Sequence, residues 1–279
     1  MLEVVFLIVL ALIWIVFASV QDLREREVAN WLNFSLIIFA LGFRFFYSLF
    51  EGGSYDFFYQ GLIGLGIFFI LGNALYYGKM FAGGDAKLMI ALGAVIGFSE
   101  SFSVNLKIYI LFLLVFLFSG ALYGLSWSLF LAVKNFKNFK EEFRKQVKKN
   151  LKLFYFAMIV GLCFMGIGFF ENLFFLLGVF IFVSPYFYLF AKSVDEVCMV
   201  KKVKVKDLRE GDWLYKNVKV GSAVIKANWE GLSKKDIELI RKKNKFVLIR
   251  QGIPFIPVFL ISFLIFLWVF SSGVWSYYF

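Results

Sequence analysis

The chain has 279 residues, of which 61% are hydrophobic and 40 are phenylalanine, and its formal net charge is +11. One water-soluble core could not bury this much apolar surface, so the composition predicts a multi-pass membrane protein. Histidine is absent, which excludes the commonest metal ligand, the usual general base and every Ser–His or Cys–His catalytic pair. Cys163 and Cys198 form neither a disulfide framework nor a Cys-x-x-Cys pair, so we expect no metal and no cofactor.

Hydrophobic runs long enough to cross about 30 Å of hydrocarbon recur along the chain. They cover about residues 2–20, 32–50, 57–77, 84–98 and 108–133, then 153–190 and 253–270. The run at 153–190 is too long for one span, and Glu171-Asn172 predicts a turn between two. The first run lacks the flanking signals of a signal peptide, so we expect a retained helix. The sequence predicts an all-α polytopic membrane bundle of eight transmembrane helices, with six as the alternative.

The distribution of basic residues predicts the orientation. With the N-terminus outside, only Arg44 and Lys107 of the 30 Lys and Arg residues fall on the outer side. Asp22, at the end of the first span, and Asp85, at the start of the fourth, then lie on the same cytoplasmic side. One cleft between helices could therefore hold both carboxylates.

Two regions between the spans are expected to lie on the cytoplasmic side. The stretch 134–152 is rich in lysine, with phenylalanines three and four residues apart, and predicts an amphipathic interfacial helix. Its expected partner is anionic lipid, and not nucleic acid, because the stretch joins two spans. The region 192–250 alternates in strand fashion at 203–206 and 218–220, with turns at Gly211-Asp212 and Gly221-Ser222.

The same region contains a helix signal. Ser233 and Asp236 have the spacing of a capping box and predict a helix that runs to about Lys243. We therefore expect a small cytoplasmic α+β module at 192–250, and the simplest hypothesis gives it no chemistry of its own.

The predicted domain plan has five parts. A catalytic membrane core with five spans covers 1–133, and the basic interfacial helix covers 134–152. A hydrophobic hairpin of two spans follows at 153–191, then the α+β module at 192–250 and the last span at 251–279.

Asp22 and Asp85 are the candidate catalytic residues. An acid at the rim of the hydrocarbon is costly unless it is paired, hydrated or used, although a helix-end aspartate can also be a simple cap. Two carboxyl groups that share a proton can hydrolyse a peptide bond without metal or histidine, because like charges close together cannot both ionise cheaply. One group activates water and the other protonates the scissile carbonyl. Which aspartate plays which part stays open.

Residues beside Asp85 are candidates for supporting roles. Gly83 and Gly84 leave room for an extended substrate and offer amides to an oxyanion, or they are small residues for helix packing. Lys87 either reaches toward lipid phosphate or stabilises the ionised form of a carboxylate.

Two sequence motifs carry a resemblance to a known family. The first is Ser19-Val20-Gln21-Asp22-Leu23-Arg24-Glu25-Arg26-Glu27, followed by a span that opens at Asn30. The second is Gly83-Gly84-Asp85-Ala86-Lys87-Leu88. Together they resemble the type IV prepilin peptidases and are especially similar to the archaeal branch, the preflagellin peptidases. The similarity covers about residues 1–100 and, more loosely, the entry to the last span at 251–254.

The resemblance implies a membrane aspartic endopeptidase of the Gly-x-Gly-Asp type. Such an enzyme removes short basic leader peptides from type IV pilin-like or archaellin precursors at the cytoplasmic face, and its catalytic aspartates map onto Asp22 and Asp85. The chain lacks the paired Cys-x-x-Cys loop of many bacterial members, so we expect cleavage without N-methylation. The first glycine of the motif is replaced by Ala82.

Three further residues are candidates for substrate binding or support, and two other functions stay open. Glu25 and Glu27 could capture a basic leader against the otherwise basic field of this face, and Asn30 opens the second span beside them. The alternatives are a presenilin-like intramembrane protease and a proton- or cation-coupled transporter. Acids at a membrane boundary favour cutting beside the membrane over both alternatives.

Overall fold

The computed structural model describes residues 2–51, 54–221 and 223–273, which are mostly helical. The helices are α1 (Leu2–Glu25), α2 (Asn30–Phe50), α3 (Asp56–Tyr77), α4 (Gly83–Ile96), α5 (Phe102–Lys134), α6 (Phe136–Lys149), α7 (Leu151–Ile167), α8 (Asn172–Cys198), α9 (Lys234–Lys243) and α10 (Ile256–Ser271). The chain forms two compact units. One comprises Met1–Gly124 with Pro254–Phe279, and the other comprises Leu125–Ile253.

The apolar helices confirm a multi-pass membrane protein. Among the described residues, α1, α2, α3, α5 and α8 are each long and apolar enough to cross a membrane. The pair α6 and α7, bent by 76° at its break, would raise the number from 5 to 6 if it were one span. Helices α4 and α10 have only 14 and 16 residues. The count of eight spans therefore stays a prediction.

Helix α4 is enclosed by its neighbours in the first unit. It packs against α1, α2 and α3, and most of its residues are buried. Glycines set the closest approach, because a Cβ on Gly64 of α3 would collide with the backbone oxygen of Gly93 of α4. A Cβ on Gly93 would lie 2.5 Å from the Cβ of Phe68. Only glycine allows the two helix backbones to come this close.

Arg44 of α2 holds the C-terminal end of α4. Its side chain is fully buried. The guanidinium donates hydrogen bonds to the carbonyl oxygens of Ala94 (3.0 Å), Phe57 (2.9 Å), Val95 (2.9 Å) and Gly97 (2.5 Å). The last carbonyls of a helix have no amide partner within it and carry partial negative charge, so a buried cation with five donors satisfies both needs.

Replacing Arg44 by methionine should therefore destabilise the protein strongly. The variant leaves several carbonyls buried without donors, and we expect a loss of about 3 kcal/mol or more. Thermal unfolding of the purified chain in detergent measures this loss. Lys107→Met is the matched control, since it removes an exposed cation from the same unit. Equal melting temperatures for the two variants would contradict the role of Arg44.

The second unit contains a helical hairpin and the basic helix. Helices α7 and α8 pack against each other, and the break between them lies at the expected Glu171-Asn172 turn. A Cβ on Gly161 would lie 2.8 Å from the backbone nitrogen of Phe182, so the hairpin depends on glycine. Helix α6 packs against α8, where the rings of Phe139 and Phe190 meet edge to face with centroids 5.5 Å apart.

Five short strands follow α8. They are β1 (Val200–Lys204), β2 (Trp213–Leu214), β3 (Val218–Val220), β4 (Ala223–Ile225) and β5 (Phe246–Arg250). Strands β1, β5 and β2 form an antiparallel sheet in that order, and β3 pairs with β4. The predicted small sheet is confirmed. Its first strand ends at Lys204, earlier than expected, because a 3-10 turn over Val205–Asp207 buries Val205 in the core.

The local signals of this region behave as the sequence predicts. Ser233 caps α9, accepting a hydrogen bond from the Asp236 nitrogen at 3.2 Å, while the Asp236 carboxylate accepts one from the Ser233 nitrogen at 3.1 Å. Helix α9 ends at Lys243 as expected. Gly211 and Gly221 have φ values of 91° and 66°, which suits turns. Ser222, the second residue of the other expected turn, lies outside the described residues.

Candidate active site

Asp22 lies in the last turn of α1 and is held by the start of α10. Its side chain is buried, with 7% of its surface exposed. Its Oδ2 accepts a hydrogen bond of 3.0 Å from the backbone nitrogen of Ile256, the first residue of α10. The first amides of a helix have no partner within the helix and carry partial positive charge, so this position favours a carboxylate.

Asp85 occupies a similar setting at the start of α4. It is the third residue of the helix and is 8% exposed. Its Oδ2 accepts a hydrogen bond of 3.1 Å from the backbone nitrogen of Ala82. This bond is half of a capping box, and the other half is missing because alanine has no side-chain acceptor. Both candidate acids are thus oriented by an amide at a helix N-terminus.

The two aspartates lie at the same end of the first unit. Helices α1 and α4 are in contact, with Asp22 near the end of one and Asp85 near the start of the other. Asp22 bonds the Ile256 amide, and Phe81, four residues before Asp85, packs against Phe255, so both acids lie near the start of α10. Two carboxylates held close together favour a state in which they share one proton.

The turn after Asp22 folds back against α4. The Arg26 nitrogen donates to the Asp22 carbonyl oxygen at 2.9 Å, and the Ala29 nitrogen donates to Gln21 Oε1 at 3.2 Å. Arg26 has a φ of 58°, the left-handed conformation that this tight turn requires. Val28 is buried beside Gly84, since a Cβ on that glycine would lie 3.8 Å from the Val28 Cβ. Glu25 and Glu27 are exposed on this turn.

An aromatic cluster fixes the start of α10 near the start of α4. The ring of Phe81 packs against those of Phe116, Phe255 and Phe259 at centroid distances of 5.8, 5.9 and 6.3 Å. Phe81 precedes α4 and Phe255 precedes Ile256, so the same cluster helps to place both carboxylates. The sequence does not mark these residues, because single phenylalanines carry no signal in a chain with 40 of them.

Gly83 and Gly84 are not required by the fold. Neither has a positive φ. A Cβ on Gly83 would lie 3.9 Å from the Tyr76 ring and one on Gly84 3.8 Å from Val28, which are ordinary contacts. The pair therefore differs from Gly64 and Gly93, which the packing demands. This geometry favours backbone left open beside Asp85 over a helix-packing role.

Lys87 makes a contact that neither hypothesis for it included. Its Nζ donates a hydrogen bond of 2.6 Å to Oδ1 of Asn30, the first residue of α2. The bond joins the fifth residue of α4 to the first residue of α2. Lys87 and Asn30 thus brace the helices beside the carboxylates.

A double-mutant cycle with Lys87→Met and Asn30→Ala tests this brace. The bond is exposed, so we expect a coupling of about 1 kcal/mol in thermal or denaturant unfolding. A lysine that instead reached toward lipid phosphate would lose the same stability whether or not Asn30 were present. A coupling near zero would therefore contradict the brace.

The described residues offer no metal centre. They contain no group of three His, Cys, Asp or Glu side chains that could hold a metal ion. Cys163 is exposed and Cys198 buried, and both are free thiols. The candidate site consists of two carboxylates, helix N-terminal amides and glycine backbone.

These features are those of a polytopic membrane protein with two buried carboxylates at one end of its first unit. Residues 9–125, which include both aspartates, match the model of the type IV leader peptidase family. The preflagellin peptidase of Methanococcus maripaludis is 34% identical over 82 residues, which is 29% of this chain and 35% of the relative. That of Methanocaldococcus jannaschii is 34% identical over 86 residues, 30% of this chain and 35% of the relative. No solved structure matches the chain.

The family match confirms the resemblance drawn from the two aspartate motifs. It covers the segment that builds most of the first unit. The chain spans about a third (35%) of the length of the curated relatives that it matches.

Proposed function

We propose that the protein is a membrane-embedded aspartic endopeptidase that removes leader peptides from type IV pilin-like or archaellin precursors. The observation that carries this proposal is the pair Asp22 and Asp85, both buried at the same end of the first unit and each held by a helix N-terminal amide. The pair lies in the segment that matches the leader peptidases, and two relatives of this segment are named preflagellin peptidases.

The reaction needs one proton shared between the two carboxyl groups. The ionised group takes a proton from water as the water oxygen attacks the scissile carbonyl, and the protonated group donates to the carbonyl oxygen. Collapse of the tetrahedral intermediate breaks the C–N bond, and the amine leaves with a proton from the pair. The amides of Ile256 and Ala82 orient the carboxylates in advance, which lowers the reorganisation that the reaction requires.

The neighbouring residues suit the binding of a peptide. Gly83 and Gly84 leave space in which an extended substrate backbone can approach Asp85. Glu25 and Glu27, on the exposed turn after Asp22, would attract a basic leader. The hydrogen bond between Lys87 and Asn30 would keep the N-terminal ends of α2 and α4 in place.

The site is proposed to face the cytoplasm, with the N-terminus outside. Support comes from the positive-inside rule, since Arg44 and Lys107 are the basic residues left for the other side, and Arg44 is buried within the bundle. Helix α6 packs Phe139 against Phe190, and its exposed lysines would contact anionic lipid. Cleavage is proposed to proceed without N-methylation, cofactor or nucleic acid.

The positions of the acids favour this function over the alternatives. Asp22 is three residues from the end of α1, and Asp85 is the third residue of α4. A presenilin-like enzyme or a transporter would use acids deeper in its spans. Acids at the ends of membrane helices are well placed to cleave a peptide bond that lies just outside the hydrocarbon.

Purified full-length protein should cleave a preflagellin that carries its leader, and Asp22→Asn and Asp85→Asn should each abolish this activity. Loss of acid–base catalysis is expected to reduce kcat/KM by about a thousandfold or more. The amide side chain keeps the shape of the carboxyl, so the melting temperature should change little.

Asp56→Asn is the matched control, because Asp56 is an exposed acid in the first turn of α3. It should cleave at the wild-type rate. Near-wild-type cleavage by either Asp22→Asn or Asp85→Asn would contradict the proposed pair.

A further inference from the structure

A groove lies along α4, between α2 and α3, and begins at the N-terminal end of α4; its lining includes neither Asp22 nor Asp85. Its volume is about 710 Å³. It starts at Gly83, two residues before Asp85, and extends along α4 to Ile90. Gly66 and Phe69 of α3 line its other wall.

The groove changes from polar to apolar with distance from Gly83. Asn73 and Tyr76 of α3 line it near Gly83, whereas Leu62 and Leu65 line its other end. At 1.5 Å per residue, α3 rises about 21 Å from Leu62 to Tyr76, most of the thickness of the hydrocarbon. An occupant that fits this gradient is polar at the end near Gly83 and apolar along the rest.

Asn33 of α2 gives a second, independent indication of an occupant. It lines the groove and is 1% exposed. Neither its Nδ2 nor its Oδ1 has a hydrogen-bond partner among the described residues. An unpaired buried amide costs about 1–3 kcal/mol, so the fold itself gives no reason to keep one. Asn33 is one turn further along α2 than Asn30, which bonds Lys87 of α4.

We infer that this groove receives the segment of the precursor that follows the scissile bond. The apolar lining of the groove suits a segment that is an apolar helix, and its first peptide groups, not yet helical, would pair with the amide of Asn33. A lipid acyl chain would fill the apolar part but would offer Asn33 neither a donor nor an acceptor. The inference rests on the proposed peptidase function and adds where its substrate lies.

Filling the groove from Gly66 tests the inference by kinetics. A Cβ on Gly66 meets no atom within 4 Å, so Gly66→Leu can fold and project into the groove. Gly42→Leu on α2 is the matched control, since Gly42 also has no atom within 4 Å and does not line the groove. Gly66→Leu should raise KM for the precursor about tenfold or more, with kcat changed less than about twofold. The control should leave both constants unchanged.

Asn33→Leu separates a role in binding from a role in folding. If the amide serves the substrate, its removal should raise the melting temperature, because an unpaired buried polar group is lost, and should also raise KM. A lower melting temperature with unchanged KM would show that the amide serves the fold and would overturn its assignment.

Photocrosslinking tests occupancy without catalysis. Benzoylphenylalanine replaces Phe69, which lines the groove and is 57% exposed. In the control it replaces Phe39, which lies outside the groove and is 55% exposed. Both variants also carry Asp85→Asn. Position 69 should give precursor adducts, whereas position 39 should give lipid adducts only. The inference about the groove would be overturned by lipid adducts alone at position 69, or by an unchanged KM for Gly66→Leu. In either case, cleavage by the wild-type protein would still support the peptidase function.

The opposite outcome is also distinguishable. If position 69 gave precursor adducts but the wild-type protein cleaved no precursor, the groove assignment would stand and the peptidase function would be refuted.

Discussion

The structure depends on α4, a helix too short to cross a membrane that is fixed at both ends. Arg44 binds the carbonyls at its C-terminus, and the Asp85 side chain binds the amide that precedes its N-terminus. Gly64 and Gly93 bring α3 against its side. A buried cation without a carboxylate partner is costly, and here four carbonyl oxygens compensate it. The same interactions that stabilise α4 therefore fix the position of a candidate catalytic acid.

The other acid depends on a residue from the far end of the chain. Asp22 accepts its hydrogen bond from Ile256, 234 residues away in sequence, after the chain has formed the whole second unit and returned. Helix α10 is therefore part of the candidate site as well as of the bundle. Because each carboxylate is oriented by a helix N-terminus, the site combines two like charges with two sources of compensating partial charge.

The sequence predicted what local signals encode, and it missed what only packing creates. Asp22 and Asp85 stood out because an acid at the rim of the hydrocarbon is costly unless it is paired, hydrated or used, and Ser233 with Asp236 because a capping box is a local pattern. The Ile256 amide and the carbonyls around Arg44 are backbone groups, which no residue type marks. Strand β5 was missed because its apolar residues run continuously, although only alternate ones are buried.

The convergence of α1 and α4 is the central claim, and a crosslink between the two acid positions tests it most directly. Asp22→Cys and Asp85→Cys would be combined in a chain whose Cys163 and Cys198 are replaced by serine, then treated in membranes with a short thiol-bridging reagent. The account predicts one bridged peptide pair within a single chain, identified by mass spectrometry. Modification of both thiols by the reagent without any bridge between them would contradict it.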